Sequence, residues 1–447
     1  MHSTLDARDT RPAGEPEFHT VLVVGGGPAG LPLAAVLAGG LWPWYRRSAA
    51  VEHFYGPLAA ALAGGTETLL ALDFRRVAAR VRPVDLFNAL HHPGGKALPL
   101  HETGLEFRPG TALDCLLLSR EPVGGLWNFV PSNLLTLSPA HWMEFAFYPI
   151  AQWAAECGRS LDPDALIGKR DLVDYYHSVP ARFGVTSAIQ QPVDVFRIEP
   201  GPLGFLVSAR RADGTVVQYA SRYVVYAVGQ RCTLRRLGIP GEDLPVVERH
   251  YDTPEALPGD RVLVVGGGRS ADWAATELHD AGRDVLYVMR QQEGSHWRLI
   301  RESLHLPYYA RLGELLQPPA KLRAAYGAHV RRIEPDGTVH LEQSGRRWTE
   351  WADRVVLEIG GTVDYDLFHG FPPLTLVEKY DRYRFQCHQV VTHAHSYESV
   401  DIPGMYPGGY LAQGINNVVV SMHGTTYAIA ADILQKEGIL TPRWSLP

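Results

Sequence analysis

Two segments of the chain repeat one local plan, and that repetition constrains the fold more than any other feature. Thr20-Val-Leu-Val-Val runs into Gly25-Gly-Gly27-Pro28-Ala29-Gly30, and Arg261-Val-Leu-Val-Val runs into Gly266-Gly-Gly268-Arg269-Ser270-Ala271. Each opens with a β-branched run that suits a buried parallel strand, and each continues into a stretch of helical composition, Leu31 to Ala38 and Asp272 to Leu278. In that context the first glycine permits the tight turn and the second lets the backbone approach a pyrophosphate. The third, or an alanine, lets helix pack on strand. The free N–H groups at the helix start face the anion. A single motif of this kind is weak evidence, but two make coincidence a poor explanation. They point to two bound dinucleotides, a flavin and a nicotinamide, and to an α/β fold with two Rossmann-like domains.

Composition removes several other classes. The 447 residues are 46% hydrophobic and 20% charged, with a net charge of −6, and no Lys/Arg cluster offers itself to a phosphate backbone, so nucleic-acid binding is not expected. Cys115, Cys157, Cys232 and Cys387 lie far apart and form no CxxC pair. This argues against a disulfide scaffold or a redox dithiol and suits a reducing cytoplasm. Residues 1–17 are polar, carry both charge signs and read as a disordered segment rather than a signal peptide. The uncharged stretch Val21 to Trp42 is interrupted by its glycines and Pro28, so no membrane association is expected.

Charge separates the two nucleotides. After the second motif, Asp284-Val-Leu-Tyr-Val-Met ends in Arg290. An acid there would accept from a ribose 2′-hydroxyl, whereas an arginine pairs with a 2′-phosphate. With Arg269 in the turn, this favours NADPH over NADH. The first unit is less regular. Its helix is followed by a long insert, residues 41–113, which has no readable pattern and includes the run Arg75, Arg76, Arg80, Arg82, read as a solvated helix face. The delayed second strand is expected at Asp114 to Leu118, ahead of Gly124-Gly125-Leu126-Trp127. The competing choice is Thr68 to Asp73, with Asp73 on the ribose. No acid ends the preferred strand, because Ser119 and Arg120 follow and Glu121 is displaced.

The set Gly25–Gly30, Gly124–Trp127, Tyr226-Ala-Val-Gly229 and Gly266–Ala271 resembles the flavin-dependent monooxygenases of class B type. Within them the chain is most similar to the oxidative-stress-induced growth inhibitor family, through the long insert and Leu135-Thr-Leu-Ser-Pro-Ala-His141-Trp142-Met-Glu144. The amine N-hydroxylases and Baeyer–Villiger enzymes belong to the same group. The resemblance implies an NADPH-binding domain, residues 237–355, inserted into an FAD-binding domain made of 18–236 and 356–447. Two hinges would join them, Val224–Gly229 and Val355–Gly360, the second carrying Glu358 and Ile359 where small residues are usual. The family's Gly-Asp that meets the flavin ribityl chain falls on Gly414-Ile415, where Ile415 has no acceptor; either Asn416 or Asn417 substitutes, or FAD is held more weakly than usual.

The resemblance further implies that NADPH reduces FAD, that reduced flavin and O2 form a C4a-hydroperoxide, and that a small-molecule substrate is oxygenated. N-hydroxylation of an amine is the leading choice. Baeyer–Villiger or other carbon oxygenation, with Arg298 or Arg301 as the cation, is one alternative. An uncoupled NADPH oxidase is another, and a non-catalytic flavin-binding regulatory protein is a third. Cofactor contacts are expected from Gly25, Gly27, Pro28, Ala29, Gly30, Gly124, Gly125, Trp127, Asn128, Trp142, Gly229 and Gly414 for FAD, and from Gly266, Gly268, Arg269, Ser270 and Arg290 for NADPH. His141 and Glu144 are the candidate catalytic groups, since an amine must lose its proton before it can attack. No metal site is expected. Cys387-His388, His393 and His395 lack a second ligand cluster, and His91-His92 before Pro93-Gly94-Gly95 reads as a loop. A homo-oligomer is allowed but not required.

Overall fold

The computed structural model describes residues 15–65, 67–377, 388–415 and 424–442. The segment expected to be disordered falls almost wholly outside this range, as do Asn416, Asn417 and Cys387.

The first glycine motif hangs from the central strand of a seven-stranded sheet. That strand, Glu17–Val24, runs parallel to Cys115–Leu118 on one side and to Val216–Tyr226 on the other. Val21, Leu22 and Val23 are fully buried, as a parallel strand covered on both faces requires. The delayed second strand is therefore Cys115–Leu118. The competing choice fails, because Leu69–Ala71 is one 3-10 turn and Asp73 caps the helix Phe74–Ala78 by accepting from the Arg75 and Arg76 amides. Beyond Val216–Tyr226 the sheet continues antiparallel through Gly204–Arg211 to Val193–Gly201.

A second sheet has five parallel strands in the order Val247–Glu248, Arg354–Leu357, Arg261–Val265, Asp284–Met289, Arg323–Tyr326. The helix Arg269–Asp280 follows its glycine motif. A three-stranded antiparallel sheet, Ala328–Ile333, Thr338–Gln343 and Arg346–Trp351, lies beside it. The chain then returns to the first sheet, where Met405–Pro407 pairs with Val224–Tyr226. One unit is thus inserted into the other. Because Arg354–Leu357 belongs to the second sheet, the return crossing lies after Leu357 rather than at residue 356. The two crossings lie side by side as an antiparallel ribbon, with Thr233 opposite Thr362 and Leu234 opposite Gly361. Arg235 fastens it, donating from its amide to the Gly360 carbonyl at 3.0 Å and from Nε to Gly361 at 2.9 Å.

The insert is not an appendage. Its strands Leu41–Tyr45 and Leu105–Pro109 pair, and its helices Ala49–Leu62 and Pro83–His91 supply Val51, Leu62, Phe87 and Leu90 to the core of the first unit. That core also holds Tyr427, Ile433 and Leu434 from the C-terminal helix Gly424–Lys436. The two helices approach so closely that a Cβ on Gly424 would sit 1.7 Å from the Val84 Cα. Arg75, Arg76, Arg80 and Arg82 are exposed, as expected, and Arg82 also donates to the Gly414 carbonyl and to Asp85. Among the described residues no helix is long and apolar enough to cross a membrane.

Candidate cofactor and substrate site

The first glycine turn is closed by contacts that leave no room for side chains. Gly25 has φ +114°, and a Cβ there would meet the Ala227 carbonyl oxygen at 2.5 Å. A Cβ on Gly30 would lie 2.0 Å from the Gly25 oxygen, which is the close helix-on-strand packing that the third glycine serves. Gly27 is different: its nearest neighbour is the Gly125 Cα at 3.8 Å, so its surroundings are open enough for a ligand. Gly124 donates its amide to the Gly26 carbonyl at 2.8 Å, bringing the second turn onto the first. Pro28 and Ala29 complete the turn before the helix Leu31–Leu37.

Ser119 stands where the strand-end acid is absent. Its hydroxyl accepts from the Gly26 amide at 3.2 Å and donates to the Glu121 carbonyl at 2.6 Å, so it braces the turn. Asn128 also braces. Its amide nitrogen donates to the Pro122 and Gly125 carbonyls, and its oxygen faces His177 Nε2 at 3.0 Å. Gly414 has φ +79°, while Ile415 is buried in the core rather than turned outward.

At the second motif, a Cβ on Gly266 would lie 2.4 Å from the Glu358 carbonyl oxygen and 2.5 Å from the Ala271 Cβ. Gly268 is open. Arg269 lays its guanidinium over the Tyr309 ring at 5.5 Å, and Ser270 Oγ accepts from Arg231 Nη1 at 3.1 Å. Arg231 also approaches Glu358 Oε2 at 3.8 Å, and Glu358 Oε1 accepts from the Tyr251 amide. Burial raises the Glu358 carboxyl above its ordinary value, opposed by the charge of Arg231. The hinge glutamate is therefore half of a polar latch between the crossing and the second glycine turn. Arg290 is exposed beyond Asp284–Met289, and its neighbour Gln291 packs against Gly267, where a Cβ would meet its side chain at 3.1 Å.

A cavity of about 150 Å³ opens between the units. Leu126, Trp127, Phe129, Leu134 and Leu137 wall it from the first, and Arg269, Ser270 and Tyr308 from the second, with Arg231 and Glu358 from the crossings. A larger cavity of about 500 Å³ lies between Leu137, Ser138, Trp142 and the His305–Pro307 turn. Trp142 reaches a cavity wall; His141 and Glu144 line neither cavity and are buried behind it. Glu144 Oε1 is 3.1 Å from His91 Nε2, so His91 ends a helix inside the protein, not in a loop. Burial pushes Glu144 up to about 8 and His91 down to about 3, which makes this a contact between neutral groups near pH 7. Arg298 and Arg301, the expected cations for carbon oxygenation, are exposed and line neither cavity.

Residues 104–407 match the model of the pyridine nucleotide-disulphide oxidoreductase family. The chain belongs to that family. It is 24% identical over 475 residues to oxidative stress-induced growth inhibitor 1 of Homo sapiens, covering 96% of this chain and 98% of that protein. Among solved structures, bacillithiol disulfide reductase Bdr from Bacillus cereus superposes with a TM-score of 0.64 at 16% identity, covering 94% of this chain and all of the other. The ornithine N-hydroxylase of Kutzneria sp. 744 does so with a TM-score of 0.57 at 15% identity, covering 94% and 100%. The resemblance to class B flavin monooxygenase-like proteins read from the motifs therefore stands. The fold is that of flavoproteins with two dinucleotide-binding domains.

Arg231 and Gln291 were not singled out in the sequence, and Ser119 was noted there only as the absence of an acid, not as a brace of the turn. Arg231 sits two residues beyond Gly229 and Gln291 immediately after Arg290, and that proximity was the available signal.

Proposed function

We propose that the chain is an NADPH- and FAD-dependent monooxygenase that transfers oxygen from O2 to a small molecule, with an amine nitrogen as the first choice of atom. The observation that carries this reading is the cavity shared by Trp127 on the flavin side and Arg269 and Ser270 on the nicotinamide side. The residues fit both cofactors. The Gly25–Gly30 turn is a cradle that side chains would fill, and Gly27 within it stays open. Gly268 is likewise open at the start of the helix Arg269–Asp280, whose N–H groups suit a pyrophosphate.

Bound FAD, reduced by NADPH, supplies activated dioxygen. The chain supplies position and dryness. Leu126, Trp127, Phe129, Leu134 and Leu137 give the cavity an apolar wall, from which a bound cofactor and substrate would displace water. That lining also favours the neutral form of an entering amine, since burying an ammonium without a partner is costly. No cysteine lines either cavity among the described residues, which favours oxygen over a chain-borne dithiol as the acceptor of flavin electrons. Carbon oxygenation is the second reading, favoured by the cations Arg231, Arg249 and Arg269 on the cavity wall.

The test reduces the purified flavoprotein with NADPH without oxygen, then admits oxygen with a panel of amines, thioethers and ketones. Oxygenated amine in proportion to NADPH consumed is the expected result. Recovery of all consumed oxygen as hydrogen peroxide, whatever is offered, overturns it.

A further inference from the structure

The helix Pro83–His91 and the turn after Ala140–Met143 are distant in sequence, yet they bring His91 and His92 against Glu144. One ligand-capable atom from each of the three lies within 4.8 Å of the other two. The three residues are at most 2% exposed. We propose that His91, His92 and Glu144 form a mononuclear site for a divalent first-row transition ion, with His141 as an adjoining donor.

The orientation of the donors carries the argument. His92 Nδ1 lies 3.3 Å from the Lys96 carbonyl oxygen, a contact that is favourable only with the proton on Nδ1. Its lone pair is then on Nε2. His141 repeats the arrangement, with Nδ1 at 2.8 Å from the Pro163 carbonyl oxygen. Its Nε2 is buried with no hydrogen-bond partner among the described residues. Glu144 is held through Oε2, which accepts from the Ile150 amide at 2.8 Å, while Oε1 faces His91. Backbone groups thus fix the outer atom of His92, His141 and Glu144, which is the usual support of a metal centre. The rings are gathered tightly: His91 and His92 have centroids 3.9 Å apart, and His92 and His141 5.2 Å.

The donor set selects the ion. Two imidazoles and one carboxylate suit Zn2+, Fe2+, Mn2+ or Co2+, whereas Mg2+ and Ca2+ favour oxygen alone. Trp142 stands between the cluster and the larger cavity, with its ring 4.7 Å from His92 and 5.2 Å from His141, so the cluster lies one side chain away from that cavity. The proposal does not depend on the flavin chemistry, since none of the three ligands lines the flavin–nicotinamide cavity.

The full chain, stripped of metal by chelation, is titrated with Co2+. The expected result is a visible ligand-field band that saturates at one ion per chain, is displaced by Zn2+, and is accompanied by a rise in the thermal midpoint. Glu144→Gln and His92→Gln, checked for folding by circular dichroism, are expected to weaken uptake at least about tenfold. X-ray absorption of the Zn2+-loaded wild type needs no variant, and it should show imidazole scattering with nitrogen and oxygen neighbours only. A folded wild type that takes up no Co2+ overturns the proposal. So does uptake that both folded variants retain, or a first shell containing sulfur.

Discussion

Gly27 and Gly125 face each other across the first glycine turn, and a Cβ added to Gly125 would lie 2.9 Å from the Gly27 Cα. The two glycines belong to different loops, one after Glu17–Val24 and the other after Cys115–Leu118. Their contact brings the two turns together, and a side chain at Gly125 would press on Gly27 while one at Gly27 would make only ordinary contact.

Gly125→Ala tests this. The substitution introduces the close contact and also places an L-residue at φ +57°, so a destabilisation of roughly 1–3 kcal/mol is expected. The larger effect should fall on flavin content, read as the ratio of flavin to protein absorbance after purification. A variant that keeps wild-type flavin occupancy would show that these two turns do not hold the cofactor.

The latch at the crossings offers a second prediction, with a pH sign. Arg231→Ala leaves Glu358 and Ser270 without their shared partner, and a cost of about 1–3 kcal/mol is expected in a urea titration. Glu358 holds its proton more tightly folded than unfolded, because burial outweighs Arg231. Its favourable contribution is therefore complete below the ordinary carboxylate value and is lost as pH rises through the folded value. Glu358→Gln should remove that decline, narrowing the difference in urea midpoint between about pH 5 and about pH 8. An unchanged difference would mean that Glu358 does not titrate within the latch.

The strand–glycine–helix units were legible because backbone sterics restrict them to few residue types. Gly25, Gly30 and Gly266 each meet a carbonyl oxygen at a distance no side chain tolerates, and composition records that directly. The insert was not legible. Its short helices are stabilised by packing against Gly424–Lys436, far along the chain, and a local pattern cannot report a distant partner. The same reason hid the neighbourhood of Glu144, whose buried partners His91 and His92 come from that insert. Trp142 was readable as a residue near the site, whereas its place on a cavity wall depends on His305–Pro307 from the other unit.

Cysteine reactivity separates oxygen chemistry from dithiol chemistry. Burial pushes the Cys115 thiol up to about 12, whereas Cys157 is exposed. Iodoacetamide applied to the native protein near neutral pH should label Cys157 and spare Cys115, because the thiolate is the reacting form. Peptide mass mapping reads the outcome. Rapid native labelling of Cys115 would contradict its burial and reopen a redox role for the strand beside the flavin turn.

The proposed preference for NADPH rests on Arg290. It follows the strand Asp284–Met289, is exposed, and precedes Gln291, whose side chain packs against Gly267 of the phosphate turn. A ribose reaching beyond that turn passes this strand end, where an arginine pairs with a 2′-phosphate and has no comparable bond for a 2′-hydroxyl. Losing one such charge-assisted contact at an exposed position is worth about 1.4 kcal/mol, a tenfold change in affinity. Arg290→Ala should thus lower the NADPH-to-NADH ratio of flavin reduction by about tenfold, mainly through NADPH binding, and the effect should shrink as salt screens the pair. Measured reduction rates over a range of each nucleotide decide the matter. A ratio that does not move would assign the discrimination to Arg269 or to Gln291 instead.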